Sequence, residues 1–222
     1  MSPRAADVMS DSRSVPRRLL FCAALLALAI LAAGGCAKWK KFAYEGFNRD
    51  QSQQPQRVIA ALDLKPGDRV ADLGAGGGYF TFRFADAVGP TGRVYAIDVD
   101  PDMIAYLKTR ARAEGYANVE VITATEDDAG LPADSVDLLF TCNTYHHLAD
   151  RSAYFARMRR ALRPGGRVAI IDMNGTGWFS WLFGHATPAD TIRAEMQAAG
   201  FQLGQQHDFL GEQSFLVFTK EP

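Results

Sequence analysis

A glycine-rich turn and one acidic residue downstream of it form the clearest candidate ligand site in the sequence. The turn covers residues 72–79, DLGAGGGY, and Asp98 follows Gly78 by 20 positions. Glycines let the backbone approach a ligand closely, and the start of a following helix offers unpaired N–H groups. Tyr79 stands where a dinucleotide-binding turn requires its third glycine, and no P-loop lysine follows. The carboxylate of Asp98 can accept hydrogen bonds from both hydroxyls of a ribose, so the pattern favours a ribose-containing ligand.

Histidines form a second group of candidate residues. His146 and His147 lie just past the apolar run 136–142, and His185 follows the next such run. Histidine titrates near neutral pH and can act as a general base when an acceptor must lose a proton. We therefore identify these three histidines as the candidate catalytic residues. The alternative is that one of the adjacent pair packs against the following helix and that positioning alone does the work.

Short apolar runs alternate with helical stretches and must position both groups. The runs are rich in Val, Ile and Leu without clean polar alternation, which is typical of parallel strands buried on both faces. The predicted strands are residues 69–73, 93–98, 119–123, 136–142, 167–173, 201–209 and 214–219, and the predicted helices are residues 55–62, 79–88, 101–114, 151–162 and 188–199. Strands that alternate with helices predict a doubly wound α/β sheet, and the last two strands predict an antiparallel hairpin.

The order of these motifs resembles that of class I S-adenosylmethionine-dependent methyltransferases, in particular predicted bacterial members that carry signal peptides. The matching segments are residues 70–78 (first motif), 95–98 (acidic second motif), 126–132 (adenine contact), 136–140 (fourth strand) and 162–168 (turn into the fifth strand). The resemblance implies a Rossmann-like, doubly wound sheet of seven strands with helices on both faces. Its strand order would be 3-2-1-4-5-7-6, with the last strand antiparallel.

The resemblance also implies roles for residues that bind S-adenosylmethionine. Gly74, Gly76 and Gly78 would face the amino-acid portion of the cofactor. Asp72 would orient this loop or receive the cofactor's amino group. Asp98 would hold the ribose hydroxyls.

The adenine contact has three candidates, Glu126, Asp127 and Asp128. Counting back from Leu131 favours Asp127 among them. Asn143, directly after the fourth strand, completes the predicted set of cofactor-binding residues.

The methyl acceptor is expected where the loops after the fourth and fifth strands converge. Tyr145 and the candidate histidines should cluster there around the methyl group. Asn143, Asp172 and Asn174 carry oxygens that suit Mg²⁺. However, the acid that catechol-type methyltransferases place after their fourth strand is missing, so we predict no metal. Arsenite methyltransferases need several cysteines, and Cys142 is the only one in the predicted domain.

The N-terminal segment is predicted to lie outside this domain. Arginines precede an apolar run over residues 19–33, which is typical of a secretory signal. The following AGGC resembles the lipobox of bacterial lipoproteins, whose cysteine, here Cys36, is lipidated. An uncleaved membrane anchor is the alternative. We therefore divide the chain into a signal or anchor (1–36), a linker (37–54) and a methyltransferase domain (55–222), tethered to the bacterial envelope with the domain in the periplasm.

The composition is typical of a globular protein, with 48% hydrophobic residues and a net charge of −1. This charge does not favour a nucleic-acid partner. We predict an S-adenosylmethionine-dependent methyltransferase that acts on a small molecule, with a lipophilic one among the options. Because S-adenosylmethionine is made in the cytosol, the alternative is an exported lipoprotein that binds a nucleoside or this cofactor without turnover. A nicotinamide oxidoreductase is disfavoured by Tyr79.

Overall fold

A computed structural model describes residues 49–176 and 186–220. Within them, seven strands form one sheet in the order β3-β2-β1-β4-β5-β7-β6. The strands are β1 (Arg69–Leu73), β2 (Arg93–Asp98), β3 (Val119–Thr123), β4 (Val136–Cys142), β5 (Leu162–Met173), β6 (Phe201–His207) and β7 (Gln213–Lys220). The strand β7 runs antiparallel to both of its neighbours, and the other pairs are parallel. The predicted fold class and strand order are confirmed.

Two of the six helices in this part of the chain begin with a side-chain cap. The helices are α1 (Asp50–Gln53), α2 (Pro55–Leu62), α3 (Thr81–Val88), α4 (Pro101–Ala113), α5 (Arg151–Met158) and α6 (Ala189–Ala198), with 3₁₀ turns at Tyr145–His147 and Arg159–Ala161. The side chain of Asp100 accepts a hydrogen bond from the N–H of Asp102, and that of Asp150 accepts one from Ala153. Both residues therefore satisfy N–H groups that a helix start leaves without partners.

Two apolar layers hold the sheet between helices. On one face Phe155 and Met196, from α5 and α6, pack against strand residues such as Leu139. On the other face Val58 and Phe84, from α2 and α3, pack against the opposite side of the strands. Each fully buried side chain of this size contributes about 1.5–3 kcal/mol relative to exposure. The sheet is thus a rigid base for the loops at its carboxyl edge.

Some boundaries differ from those predicted from the sequence. The helix expected over residues 79–88 begins at Thr81, because the turn before it has left-handed backbone at Gly76 and Gly78. The strand β5 begins at Leu162, earlier than predicted, with a register shift opposite β4. Residues 50–53, assigned to a linker, form the short helix α1.

The predicted signal or anchor and its Cys36 lie outside the described residues. Across residues 49–176 and 186–220, no helix has the length and hydropathy needed to cross a bilayer.

Candidate active site

A cavity of about 600 Å³ lies at the carboxyl ends of β1, β2 and β4. Loops of an open α/β sheet converge at this edge, where such folds bind ligands, and the volume is typical of a small-molecule site. Its lining includes Arg49, Asp72, the glycine turn through Gly77, Tyr79, Asp98, Asp100, Glu126, Cys142, Asn143, Thr144 and His147. The structure thus brings most of the predicted cofactor-binding residues together.

The glycine turn owes its shape to backbone that other residues adopt rarely. Gly74 and Gly76 have φ values of 73° and 52°, in the left-handed region. A Cβ on Gly74 would lie 2.1 Å from Oγ1 of Thr144. A glycine at this position therefore lets the loops after β1 and β4 approach each other. The same absence of side chains exposes a cradle of backbone to the cavity.

Gly78 has a different role from the one predicted. It does not line the cavity, and its Cβ would lie 2.4 Å from Cε2 of Phe82 and 3.0 Å from Cδ2 of Leu107. Gly78 therefore permits close packing of the turn against α3 and α4, and Gly77 lines the cavity instead. The predicted contact of Gly78 with the cofactor is corrected on this ground.

Asp98 ends β2 on the cavity wall, as predicted. Its Oδ2 accepts a hydrogen bond from the N–H of Gly76 at 2.8 Å, and its Oδ1 accepts one from Asp100 at 3.0 Å. The Asp98 carboxylate therefore stabilises both the glycine turn and the loop after β2. Its contact with a ribose stays a prediction.

Asp72 is the penultimate residue of β1 and is only 3% exposed. Its Oδ2 accepts a hydrogen bond from the hydroxyl of Thr81, the first residue of α3, at 2.6 Å. Burial raises the pKa of Asp72 to about 7, because surroundings of low polarity disfavour the charged carboxylate. Both predicted roles therefore have a geometric basis: Asp72 ties the turn to α3 and also lines the cavity.

Of the three candidates for the adenine contact, Glu126 lies at the cavity and the favoured Asp127 does not. Glu126 lines the cavity, whereas the side chain of Asp127 is 94% exposed. The guanidinium of Arg157 donates to the backbone oxygen of Asp127, and Arg160 pairs with Asp128 at 3.1 Å. These arginines hold residues 127 and 128 towards α5, so the preference for Asp127 gives way to Glu126.

The structure places the two adjacent candidate histidines in different surroundings. His147 lines the cavity, but His146 does not. Nδ1 of His146 lies 2.7 Å from Oδ1 of Asp172, a buried carboxylate on β5, and the His146 side chain is only 10% exposed. The two histidine rings are in contact, with centroids 4.1 Å apart. His185 lies outside the described residues.

Tyr145 is buried and does not belong to the predicted acceptor cluster. Its hydroxyl donates to Oε2 of Glu195 at 2.7 Å, and Arg151 donates to both oxygens of that carboxylate. The hydrogen bond from Arg151 lowers the pKa of Glu195, while burial and the bond to Glu195 raise the pKa of Tyr145. Tyr145 therefore ties the turn after β4 to α6.

Two further residues, Cys142 and Asn143, complete the wall at the end of β4. Asn143 has left-handed backbone with φ of 55°, and its Oδ1 accepts a hydrogen bond from Nε2 of Gln213 at 2.7 Å. The Cys142 thiol donates to Oε1 of Gln53, and burial raises the pKa of Cys142 to about 12. The thiol is therefore uncharged near neutral pH and unsuited to act as a nucleophile. Sequence analysis missed Gln53, Gln213 and Arg49, because no local pattern links them to the site.

The residues considered for Mg²⁺ have other partners. Asn143 is bonded to Gln213 and Asp172 to His146, while Oδ1 of Asn174 accepts hydrogen bonds from Thr176. In the part of the chain that the structure describes, no group of three or more His, Cys, Asp or Glu residues could hold a metal ion.

Comparison with known proteins identifies the family. A family model described as a methyltransferase domain matches residues 64–209, which include β1 to β6. The chain belongs to this family, and the matched range includes most residues that line the cavity described above. It is therefore a member of the class I S-adenosylmethionine-dependent methyltransferase superfamily.

Individual relatives agree with this assignment. An arsenite methyltransferase of Halobacterium salinarum is 29% identical over 150 residues, which cover 63% of this chain and 38% of that protein. A ubiquinone/menaquinone biosynthesis C-methyltransferase of Burkholderia cenocepacia is 28% identical over 145 residues, covering 65% and 53%. The match therefore spans only part of each curated relative. The crystal structure of a SAM dependent methyltransferase from Aquifex aeolicus is 28% identical, covers 77% of this chain and 90% of its own, and has a TM-score of 0.67.

S-adenosylmethionine is therefore the cofactor, and the residues present fit it. The cradle at Gly74 has no room for a side chain, Asp98 and Glu126 offer acceptors on the β2 and β3 side, and Asp72 offers a carboxyl on β1. The family assignment also favours an enzyme over a lipoprotein that only binds its ligand.

Proposed function

We propose that the methyl acceptor is a small molecule rather than a protein or a nucleic acid. The observation that carries this proposal is that one cavity of about 600 Å³ is lined both by the cofactor-binding residues and by His147, so that only a small acceptor would fit beside the cofactor. The wall after β4 is formed by the uncharged side chains of Cys142, Asn143 and Thr144, next to His147. A net charge of −1 gives no reason to expect a nucleic-acid substrate.

We further propose that the acceptor is lipophilic and organic. The relative named for ubiquinone and menaquinone biosynthesis supports this class. The relative named for arsenite is less informative for this chain, because Cys142 is the only cysteine between residues 37 and 222. Its thiol stays protonated near neutral pH, so it makes a poor arsenic ligand.

The cofactor supplies a methyl group on a positively charged sulfur, which an acceptor atom displaces directly. Positioning supplies much of the acceleration in such a reaction, and the glycine turn with Asp98 provides it on the cofactor side. His147 is the predicted histidine that reaches the cavity among the described residues. We assign it the role of a general base for acceptors that must lose a proton. His146, bonded to Asp172, fixes the short turn that carries His147.

Label transfer from methyl-labelled S-adenosylmethionine tests this proposal. We would compare a hydroquinone with a long alkyl chain, its unsubstituted analogue, arsenite, casein and transfer RNA. We expect label mainly in the alkylated hydroquinone. Label in casein or transfer RNA would contradict a small-molecule acceptor, and equal labelling of both hydroquinones would contradict a lipophilic one. Cofactor binding without transfer to any organic fraction of a cell extract would favour the non-catalytic lipoprotein.

We also propose that the domain is tethered to the bacterial envelope through lipidated Cys36. The support is the basic, apolar and small-residue pattern that ends at this cysteine. Intact mass of the membrane-extracted protein should show loss of residues 1–35 and a lipid adduct. Cys36→Ser should alter processing and leave cofactor affinity unchanged. A full-length chain without lipid would leave only the uncleaved anchor.

A further inference from the structure

Arg49 places a cation in the cofactor cavity, although it precedes the predicted domain. Its guanidinium carbon lies 4.5 Å from the ring centroid of Tyr79, a residue of the glycine turn. The guanidinium of Arg83 lies 4.2 Å from the same centroid. The Tyr79 hydroxyl donates to Asp50, and Arg83 pairs with Asp50 at 3.1 Å. The segment at the start of α1 is therefore fastened to the glycine turn by several contacts.

The cavity has charges of opposite sign at its two ends. The carboxylates of Asp98, Asp100 and Glu126 lie on the loops after β2 and β3. Arg49 is the only arginine or lysine among the described residues of the lining. Its charge acts on Asp72 and Cys142, at the ends of β1 and β4. Because the sheet order is β2-β1-β4, this positive end lies across the glycine turn from Asp98.

The cofactor carries a matching set of groups. One end has ribose hydroxyls and adenine, and the other has an α-ammonium and an α-carboxylate. With the ribose at Asp98, the amino-acid end extends across the glycine turn towards β4. There Asp72 can accept hydrogen bonds from the ammonium, and the carboxylate needs a cation.

We propose that Arg49 binds the α-carboxylate of S-adenosylmethionine and makes the site selective for ligands that keep the amino-acid end. This inference rests on the assignment of S-adenosylmethionine as the cofactor. The planar guanidinium can donate two parallel hydrogen bonds to a carboxylate, and its contact with the Tyr79 ring holds it beside the glycine turn. Asp72 and Arg49 together then complement both charges of an α-amino acid.

Calorimetric binding of two ligands to the full-length protein tests this role without any need for turnover. S-adenosylhomocysteine has the amino-acid end, and 5′-methylthioadenosine has the same adenosine and sulfur but lacks it. Arg49→Gln should lower the affinity for S-adenosylhomocysteine by about 10- to 100-fold, as expected for the loss of a charge-assisted bidentate pair. It should leave 5′-methylthioadenosine unchanged. The affinity of Arg49→Lys for S-adenosylhomocysteine should lie between those of the unmodified protein and Arg49→Gln, since lysine keeps the charge but not the planar geometry of the guanidinium.

Arg83→Gln is the matched control. It removes a guanidinium from the same Tyr79 ring, but Arg83 does not line the cavity. It should leave the ratio of the two affinities unchanged. Equal weakening of both ligands by Arg49→Gln would assign Arg49 a structural role, and no weakening of either would place it out of contact; both results would overturn the proposal. If the unmodified protein bound neither ligand, the cofactor assignment itself would fail.

Discussion

The two ends of the cavity are built in different ways. On the β1 and β2 side, the site is defined by backbone and by residues close together in the sequence. The carboxylate of Asp98 accepts hydrogen bonds from the N–H groups of Gly76 and Asp100. On the β4 and β5 side, side chains from distant parts of the chain define it. Asn143 is bonded to Gln213, and the Cys142 thiol to Gln53. A site made of local backbone is encoded in a short motif, whereas a site made of distant side chains depends on the completed fold.

The largest effect is expected at the acceptor end, from His147→Gln. Turnover should fall by roughly 10²- to 10⁴-fold, the range for removal of a general base. Affinity for S-adenosylhomocysteine should stay the same, because His147 is assigned to the acceptor and not to the cofactor. Steady-state rates with the best acceptor, together with calorimetric binding, measure both quantities.

His146→Gln is the comparison for this variant. It should lower thermal stability, because the buried carboxylate of Asp172 would lose the hydrogen-bond partner it has in the described structure. A loss of turnover in His146→Gln at unchanged stability, with His147→Gln fully active, would transfer the role of base to His146.

The next effect concerns Asp72 and pH. An acid whose pKa is raised by folding holds its proton more tightly in the native state, so its contribution to stability falls as pH rises. The fall should lie between about pH 4 and pH 7, and the change from 3.8 to about 7 corresponds to about 4 kcal/mol. Asp72→Asn should remove this loss. Denaturant unfolding of the two cofactor-free proteins measures this. The difference in the free energy of unfolding between Asp72→Asn and the unmodified protein should widen as pH rises from about 4 to about 7. A difference that stays constant over this range would contradict the raised pKa of Asp72.

Asp98→Ala should lower the affinity for S-adenosylmethionine by about 10- to 100-fold, which corresponds to about 1.5–3 kcal/mol of binding free energy. The loss combines the predicted ribose contacts with the support given to Gly76. Asp98→Asn keeps one acceptor oxygen and should lose less. Preferential binding of NADH by the unmodified protein would contradict the assigned ligand class.

The smallest effect separates the glycines. Gly78→Ala should lower the free energy of unfolding by about 1–3 kcal/mol through overpacking against Phe82 and Leu107. Gly89→Ala is the matched control, since Gly89 also has positive φ but nothing lies within 4 Å of its added Cβ. If both variants lost the same stability, backbone conformation rather than packing would explain Gly78.

The strands were predictable because their apolar runs are buried on both faces and end at polar turns. For β1 to β4, the observed bounds are those predicted from the sequence. Asp72 and Asp98 were identified as site residues for a related reason, because each is an acidic residue at the carboxyl end of an apolar run. The start of α3 was less predictable, because left-handed glycines delay a helix without changing the polarity pattern.

The acceptor end was predictable only in part. The sequence identified the turn that carries His147, but not which of two adjacent histidines faces the cavity. That choice is made by the buried Asp172, which holds His146 from another strand. The preference for Asp127 failed for a similar reason, because Arg157 on α5 holds its backbone. Arg49 was assigned to a linker, since only the folded chain brings it onto Tyr79.

The buried carboxyl of Asp72 also links pH to the balance between substrate and product. Methyl transfer converts a positively charged sulfonium into a neutral thioether, so the spent cofactor carries one positive charge less. An ionised Asp72 on the cavity wall attracts the cationic form more strongly, and a protonated one loses this preference. The pKa of about 7 belongs to the protein without cofactor, and the ammonium of either ligand lowers it, so this preference is lost below neutral pH. Inhibition of the enzyme by its own spent cofactor is therefore expected to strengthen as the surroundings become more acidic.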